Sequence, residues 1–183
     1  MKSCDDWFSL KNNLKKLQVD IDNWDISPVL ITMLIVAEDH RFGRHHGVDF
    51  ISILRAAWRT NFCGKREGAS TIAMQLVRVL TGRYERTLRR KLSEMYLAWR
   101  LTKYVKRSDI PKMYLFVAYY GWRMNGLVQA SHRLNVNLLD VTDFDAACIV
   151  ARLKYPEPQI LDRLRDDKIK SRAKHIIRNL RNI

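Results

Sequence analysis

Ser27-Pro28 opens a run, residues 29–37, in which Thr32 is the only residue that is not apolar, and the run ends directly on Glu38-Asp39. A serine N-cap supplies the oxygen that the first free N–H groups lack, and proline with its fixed φ suits the first helical position, so this pair starts a helix. A helix apolar on every side belongs at the centre of a core, with the other elements packed around it. The run covers about half of the roughly 20 residues that a membrane span needs, so it cannot cross a bilayer. It also carries a carboxylate at its end. Burial makes a carboxyl group a stronger base, the property that general base catalysis near neutral pH draws on. A last-turn glutamate that simply turns to water fits the same position.

The rest of the chain reads as helices. Leu88, Leu92, Met95, Tyr96 and Trp99 recur at steps of three and four. This predicts an amphipathic helix over 87–104 with that stripe facing inward and Arg89, Arg90, Lys91, Glu94 and Arg100 facing out. Pro111 begins another helix through Met113, Leu115, Phe116 and Tyr119, ended by Gly121, and 146–153 and 168–180 supply two more. No segment sustains the period-two alternation of a strand, and 64–70 and 121–126 are the clearest loops. With 183 residues, 47% of them hydrophobic, and no internal repeat, one domain with a real core is expected.

The formal net charge is +14, and it is not spread evenly. Residues 78–107 carry a net +8 and residues 163–181 a net +6, which accounts for all of it. Such blocks face nucleic acid, an anionic membrane or a phosphate-bearing substrate, or form solvated helix faces. Cys4, Cys63 and Cys148 lie far apart without a CxxC spacing, against a disulfide framework or a thiolate zinc site. The first residues lack the basic, apolar, small-residue order of a secretory signal.

Reading on from Glu38, the residues Glu38, Asp39, Phe42, His45, Gly47 and Asp49 fit E-D-x-x-F-x-x-H-x-G-x-D. Gly68 to Leu76 reads G-A-S-T-I-A-M-Q-L, and Arg90 to Glu94 reads R-K-L-S-E. Tyr114-Leu115 precedes two spaced glycines, Gly121 and Gly126, and Asp145-Ala146-Ala147 precedes Ala151, Leu153 and Pro156. In order and spacing these segments resemble the signatures of the peptidoglycan glycosyltransferases, glycosyltransferase family 51. The resemblance implies a mainly helical, lysozyme-like two-lobed fold. On that reading 1–26 is an N-terminal extension without a transmembrane helix, 27–160 the glycosyltransferase domain, and 161–183 a basic helix packed on it.

The resemblance also implies a reaction, the polymerisation of lipid II into glycan strands with inversion and undecaprenyl diphosphate as leaving group. Glu38 matches the family's base. Arg78, where the family usually has lysine, and Arg86 would bind diphosphate oxygens; a planar guanidinium suits phosphate at least as well as an ammonium. Glu94 would take part in catalysis by ordering those cations or by holding a divalent cation, Mg or Mn, with no organic cofactor. Asp39, Phe42, His45, Ser70, Thr71, Gln75, Arg90 and Lys91 would complete the substrate site. Expected partners are lipid II and the nascent glycan strand, an anionic membrane surface for the second basic block, and other cell-wall synthesis proteins, at the outer face of the bacterial cytoplasmic membrane. Leu54, Trp58 and Phe62 resemble the family's membrane-dipping face and also fit a core.

Simpler readings stand beside these. Glu94 lies three and four residues after Lys91 and Arg90, as in an ordinary helix ion pair. Ser70-Thr71 fits a helix N-cap. His45 and His46 lack a third ligand at a metal spacing and suit loop hydrogen bonds. The sequence also departs from the family: Ala73 and Met74 replace Thr and Gln, removing polar groups from the expected donor wall, Phe116 replaces an Asn, and Lys112 a Glu. A weakly active member that binds cell-wall intermediates is therefore an alternative. A nucleic-acid-binding protein is another, on charge alone.

Overall fold

The apolar run folds as expected into helix α2, Pro28–Glu38, with Ser27 Oγ accepting from the Val29 N–H at 3.3 Å. Leu30, Met33, Leu34 and Val36 are buried in the core. The computed structural model describes residues 2–64, 68–160 and 162–181, so residues 65–67 of the expected loop lie outside the described residues, as do Met1, Leu161 and residues 182–183 at the expected domain boundaries. Around α2 stand α1 (Lys2–Asp22), α3 (Phe50–Phe62), α4 (Ile72–Thr81), α5 (Leu88–Tyr104), α6 (Asp109–Val117), α7 (Leu127–Leu134), α8 (Asp143–Ala151) and α9 (Arg163–Leu180). A 3₁₀ turn, Phe42–Arg44, follows α2. Helices α6, α8 and α9 pack directly on α2.

Three sequence expectations change. Helix α6 starts at Asp109 and ends at Val117, and the chain then forms a small antiparallel pair, β1 (Tyr119–Gly121) with β2 (Met124–Asn125). Strands this short show no alternation to read. The segment set apart as an extension forms α1, whose Leu10, Leu14, Leu17 and Ile21 are buried as it packs against α4 and α6. Their spacing of three and four residues is the helical stripe that a core-facing helix requires.

The third change is the rotation of α5. Leu88 is 77% exposed and Leu92 58%, with Tyr96 and Trp99 also exposed, while Leu97, Ala98, Leu101 and the carboxylate of Glu94 are buried. Two constraints set this orientation. Helix α4 packs along α5, and Gly47 (φ +83°) comes so close that a Cβ there would lie 2.5 Å from the Ala98 carbonyl oxygen. Only a small residue on α5 and a glycine opposite it permit that approach. Apart from Met95, which packs partly buried against the core, the periodic apolar stripe is left on the surface and a charged residue turned inward.

Candidate active site

Glu38 ends α2 with its side chain half-buried, 18% exposed. Gln75 on α4 donates from Nε2 to Glu38 Oε2 at 3.0 Å, and the Tyr114 hydroxyl on α6 donates to Gln75 Oε1 at 2.6 Å. Tyr114 is buried, and that burial, with the charge of Glu38 beside it, pushes its phenol well above the usual tyrosine range. It is therefore a neutral donor across the range in which proteins work. The chain of hydrogen bonds orients the Gln75 amide, and the amide orients the carboxylate.

Asp39 holds the frame around this group. Its Oδ1 lies 2.9 Å from His45 Nε2, and its Oδ2 accepts from the Ile72 N–H at 3.1 Å, at the N-terminus of α4, where a carboxylate also meets the favourable end of the helix dipole. Thr71 caps the same helix, accepting from the Met74 N–H at 3.2 Å and donating to the Gly47 carbonyl at 2.6 Å. Asp49 caps α3, accepting from the Ile51 and Ser52 N–H groups and from Arg41 at 2.9 Å. Burial raises the Asp49 carboxyl, but the Ser52 hydrogen bonds and the Arg41 charge outweigh it and hold the carboxyl below its usual range. Arg107 closes the turn by donating to the Gly43 and His45 carbonyls at 2.8 and 2.7 Å. The first signature is thus mostly a scaffold that leaves Glu38 at its edge.

One helical turn after Gln75, Arg78 reaches the second centre. It grips Glu94 in a bidentate pair, Nε to Oε2 at 3.1 Å and Nη2 to Oε1 at 3.0 Å. Arg90 also binds Glu94 Oε2, and Lys91 donates to Glu94 Oε1 at 3.2 Å and to Ser70 Oγ at 2.8 Å. Three cations thus converge on one carboxylate that is 3% exposed, a local excess of positive charge. Burial raises the Glu94 carboxyl, yet Arg78 and Lys91 more than offset it and hold it below the usual glutamate range. Burial pulls the Lys91 ammonium down, and the neighbouring Arg78 and Arg90 charges add to that against the pull of Glu94. A site in which three cations share one carboxylate carries surplus positive charge and is built to receive an anion.

Most of the residues singled out in the sequence stand in these two centres or their frame, and two stand apart. Phe42 is buried in the core, with its ring 6.4 Å from that of His45. Arg86 is exposed on the segment before α5 and, among the described residues, has no hydrogen-bond or ion-pair partner. The departures at Ala73 and Met74 do not line a wall: both side chains are buried, 1% and 0% exposed, and pack in the core. Phe116 packs edge to face on Trp24 at 5.0 Å. Arg172 was legible only as one charge in a basic block, yet from α9 it reaches Glu38, with Nη2 3.6 Å from Oε1. No local motif marks it.

A resident divalent cation on Glu94 does not fit this arrangement. Both carboxylate oxygens are taken by guanidinium and ammonium groups, and among the described residues no three His, Cys, Asp or Glu side chains group to hold a metal.

Two features of the surface complete the site. On α3, Phe50, Ile51, Leu54, Trp58 and Phe62 are all more than half exposed, so the reading of Leu54, Trp58 and Phe62 as core residues fails. Between α3 and α5 runs an open groove of about 560 Å³, lined by Arg41, His45, Phe50, Ile51, Tyr96 and Trp99 among others, which Glu38 does not line.

Comparison with known proteins decides the family. The sequence profile described as Transglycosylase matches residues 7–181. The chain belongs to the transglycosylase family. Its match starts inside α1 and ends at the last described residue, and the mainly helical, lysozyme-like fold is that of the family. Penicillin-binding protein 1A of Escherichia coli (strain K12) is 35% identical over 140 residues, covering 76% of this chain and 16% of that protein. Penicillin-binding protein 1A of Neisseria gonorrhoeae is 32% identical over 158 residues, 85% of this chain and 20% of that protein. Penicillin-binding protein 1F of Bacillus subtilis (strain 168) is 36% identical over 124 residues, 67% and 17%. This transglycosylase chain therefore spans a fifth or less of the length of these relatives.

Proposed function

We propose that the chain is a peptidoglycan glycosyltransferase that polymerises lipid II into glycan strands. One observation carries the reading: α4 presents Gln75 to a half-buried carboxylate and, one turn on, Arg78 to a cation cluster with a surplus of positive charge. Glycosyl transfer from a lipid diphosphate needs those two things side by side. Glu38 takes the proton from the 4-hydroxyl of one sugar as that oxygen attacks the anomeric carbon of the other. The bond from that carbon to the diphosphate oxygen breaks, configuration inverts, and undecaprenyl diphosphate leaves with the electron pair. Arg78, Arg90 and Lys91 neutralise the departing charge, and Arg86, free on the neighbouring segment, closes on the diphosphate. Glu94 holds the cations together against their mutual repulsion, in a fixed fan. Cations so held need no resident metal to stabilise the leaving group.

The substrate's lipid places the reaction at a membrane, the outer face of the bacterial cytoplasmic membrane, with the chain peripheral to it. Among the described residues no helix is long and apolar enough to cross one. The exposed apolar residues of α3 and the stripe on α5 supply a surface to dip into lipid, and the basic outer face of α9 suits anionic headgroups. Other cell-wall synthesis proteins are the expected partners.

The deciding experiment compares wild type with E38Q on labelled lipid II. Loss of about 10²- to 10⁴-fold in rate, the usual worth of a positioned base, is expected. Polymer formed by E38Q at the wild-type rate would overturn the assignment.

A further inference from the structure

Among the eight basic residues of the 163–181 block, Arg172 points into the protein. Its neighbours Ile169, Ala173 and Ile176 form the buried stripe of α9, which sets Arg172 at the edge of the contact with α2, its side chain 19% exposed. Nη2 donates to the Ala37 carbonyl at 2.9 Å, and Nε is buried with no partner among the described residues. That carbonyl lies in the last turn of α2, where helix geometry leaves acceptors unpaired, and a cation there also meets the negative end of the helix dipole.

The two oxygens of Glu38 are treated differently. Oε2 accepts from Gln75. Oε1 faces the Arg172 guanidinium at 3.6 Å, beyond hydrogen-bond range, and accepts no hydrogen bond among the described residues. It therefore keeps a lone pair free while a positive charge lies close by. For packing alone an apolar side chain would serve better, because a buried N–H without a partner costs stability.

We infer that Arg172 is a positioning residue for transfer: it clamps the peptide from which Glu38 projects and leaves Oε1, not Oε2, to take the hydroxyl proton. This rests on the reading of Glu38 as the base. A base displaced by an ångström loses rate without losing substrate affinity, because the sugar and diphosphate contacts lie elsewhere.

The test uses the full chain with labelled lipid II, measuring kcat, KM and thermal unfolding for wild type, R172A, R172Q, R172K, E38Q and E38Q/R172A. R172A and R172Q should lower kcat about 10- to 100-fold at unchanged KM. R172K, which keeps the charge, should recover to within about fivefold, and E38Q/R172A should be no slower than E38Q. If R172A does not fold, the pair R172Q and R172K decides in the same way. Activity of R172A or R172Q within twofold of wild type, a loss in KM alone, or equal loss in R172K and R172Q would overturn the inference. An active E38Q would instead sink the base assignment, so the two failures are distinguishable.

Discussion

Gln75 and Arg78 stand three residues apart on α4, yet one donates to Glu38 and the other to Glu94. Side chains at this spacing are neighbours on one helix face, about 5–6 Å apart at Cβ, so a single short helix couples the proposed base to the proposed diphosphate cradle. The N-terminus of that helix is held by Thr71 and Asp39.

The Tyr114 hydroxyl orients Gln75, so Y114F should leave Gln75 Oε1 without its donor. A fall in kcat of about 5- to 10-fold, the worth of one net hydrogen bond of about 1 kcal/mol, is expected at unchanged KM. Steady-state polymerisation kinetics check it, and an unchanged kcat would show that Gln75 needs no second anchor.

Replacing Glu94 by Gln removes the charge that three cations share. Mutual repulsion and weakened hydrogen bonds should cost about 1–3 kcal/mol of stability. Denaturant midpoints at low and high salt measure it, with the deficit shrinking as salt screens the repulsion between the exposed parts of the fan. Polymerisation should fall together with stability, and a fully active, equally stable E94Q would refute the role given to Glu94.

Lys91 is held below its ordinary value of 10.5 by burial and by Arg78 and Arg90. An anion bound in the cluster favours the charged ammonium, so binding of inorganic pyrophosphate should take up protons at Lys91, increasingly as pH rises towards that ordinary value. Calorimetry in buffers of different ionisation enthalpy reads the uptake directly. K91M should abolish it, and uptake that persists in K91M would assign it to another group.

Asp49 caps α3 with a carboxyl held below its ordinary value of 3.8. Because the folded-state value is the depressed one, its contribution is complete above the unfolded value and lost as pH falls through the folded one. D49N should therefore be destabilised by about 1 kcal/mol at pH 7, with the difference from wild type closing as pH falls below the ordinary carboxyl value and through the depressed one. Thermal unfolding across pH tests this.

On α3, Trp58 and Phe62 are exposed and stacked with ring centroids 4.3 Å apart. W58S and F62S should each weaken partition onto lipid vesicles about tenfold while changing folding stability by less than about 0.5 kcal/mol. K168E/K174E on α9 should weaken binding to anionic vesicles and leave neutral ones unaffected. Unchanged partition in both sets would place the membrane contact elsewhere.

Local chemistry in the sequence determined a good deal: the capped apolar helix α2 and the order and internal spacing of the signatures follow from residues close together in the chain, and the pairing of Glu38 with a cation-rich second centre was implied by the family resemblance those signatures carry. What only the tertiary structure decided are relations between distant residues. Periodicity turned the wrong face of α5 inward, because a stripe of Leu and aromatic side chains says that a face is apolar and not what covers it; the close approach of Gly47 to Ala98 and the burial of Glu94 among Arg78, Arg90 and Lys91 set the rotation. Substitutions at Ala73 and Met74 read as losses from a binding wall until their side chains proved to be core. Arg172 was one charge among eight, and it became a partner of Glu38 only when α9 packed against α2 across 134 residues of chain, a contact that burial of Ile169, Ala173 and Ile176 drives and no spacing rule records.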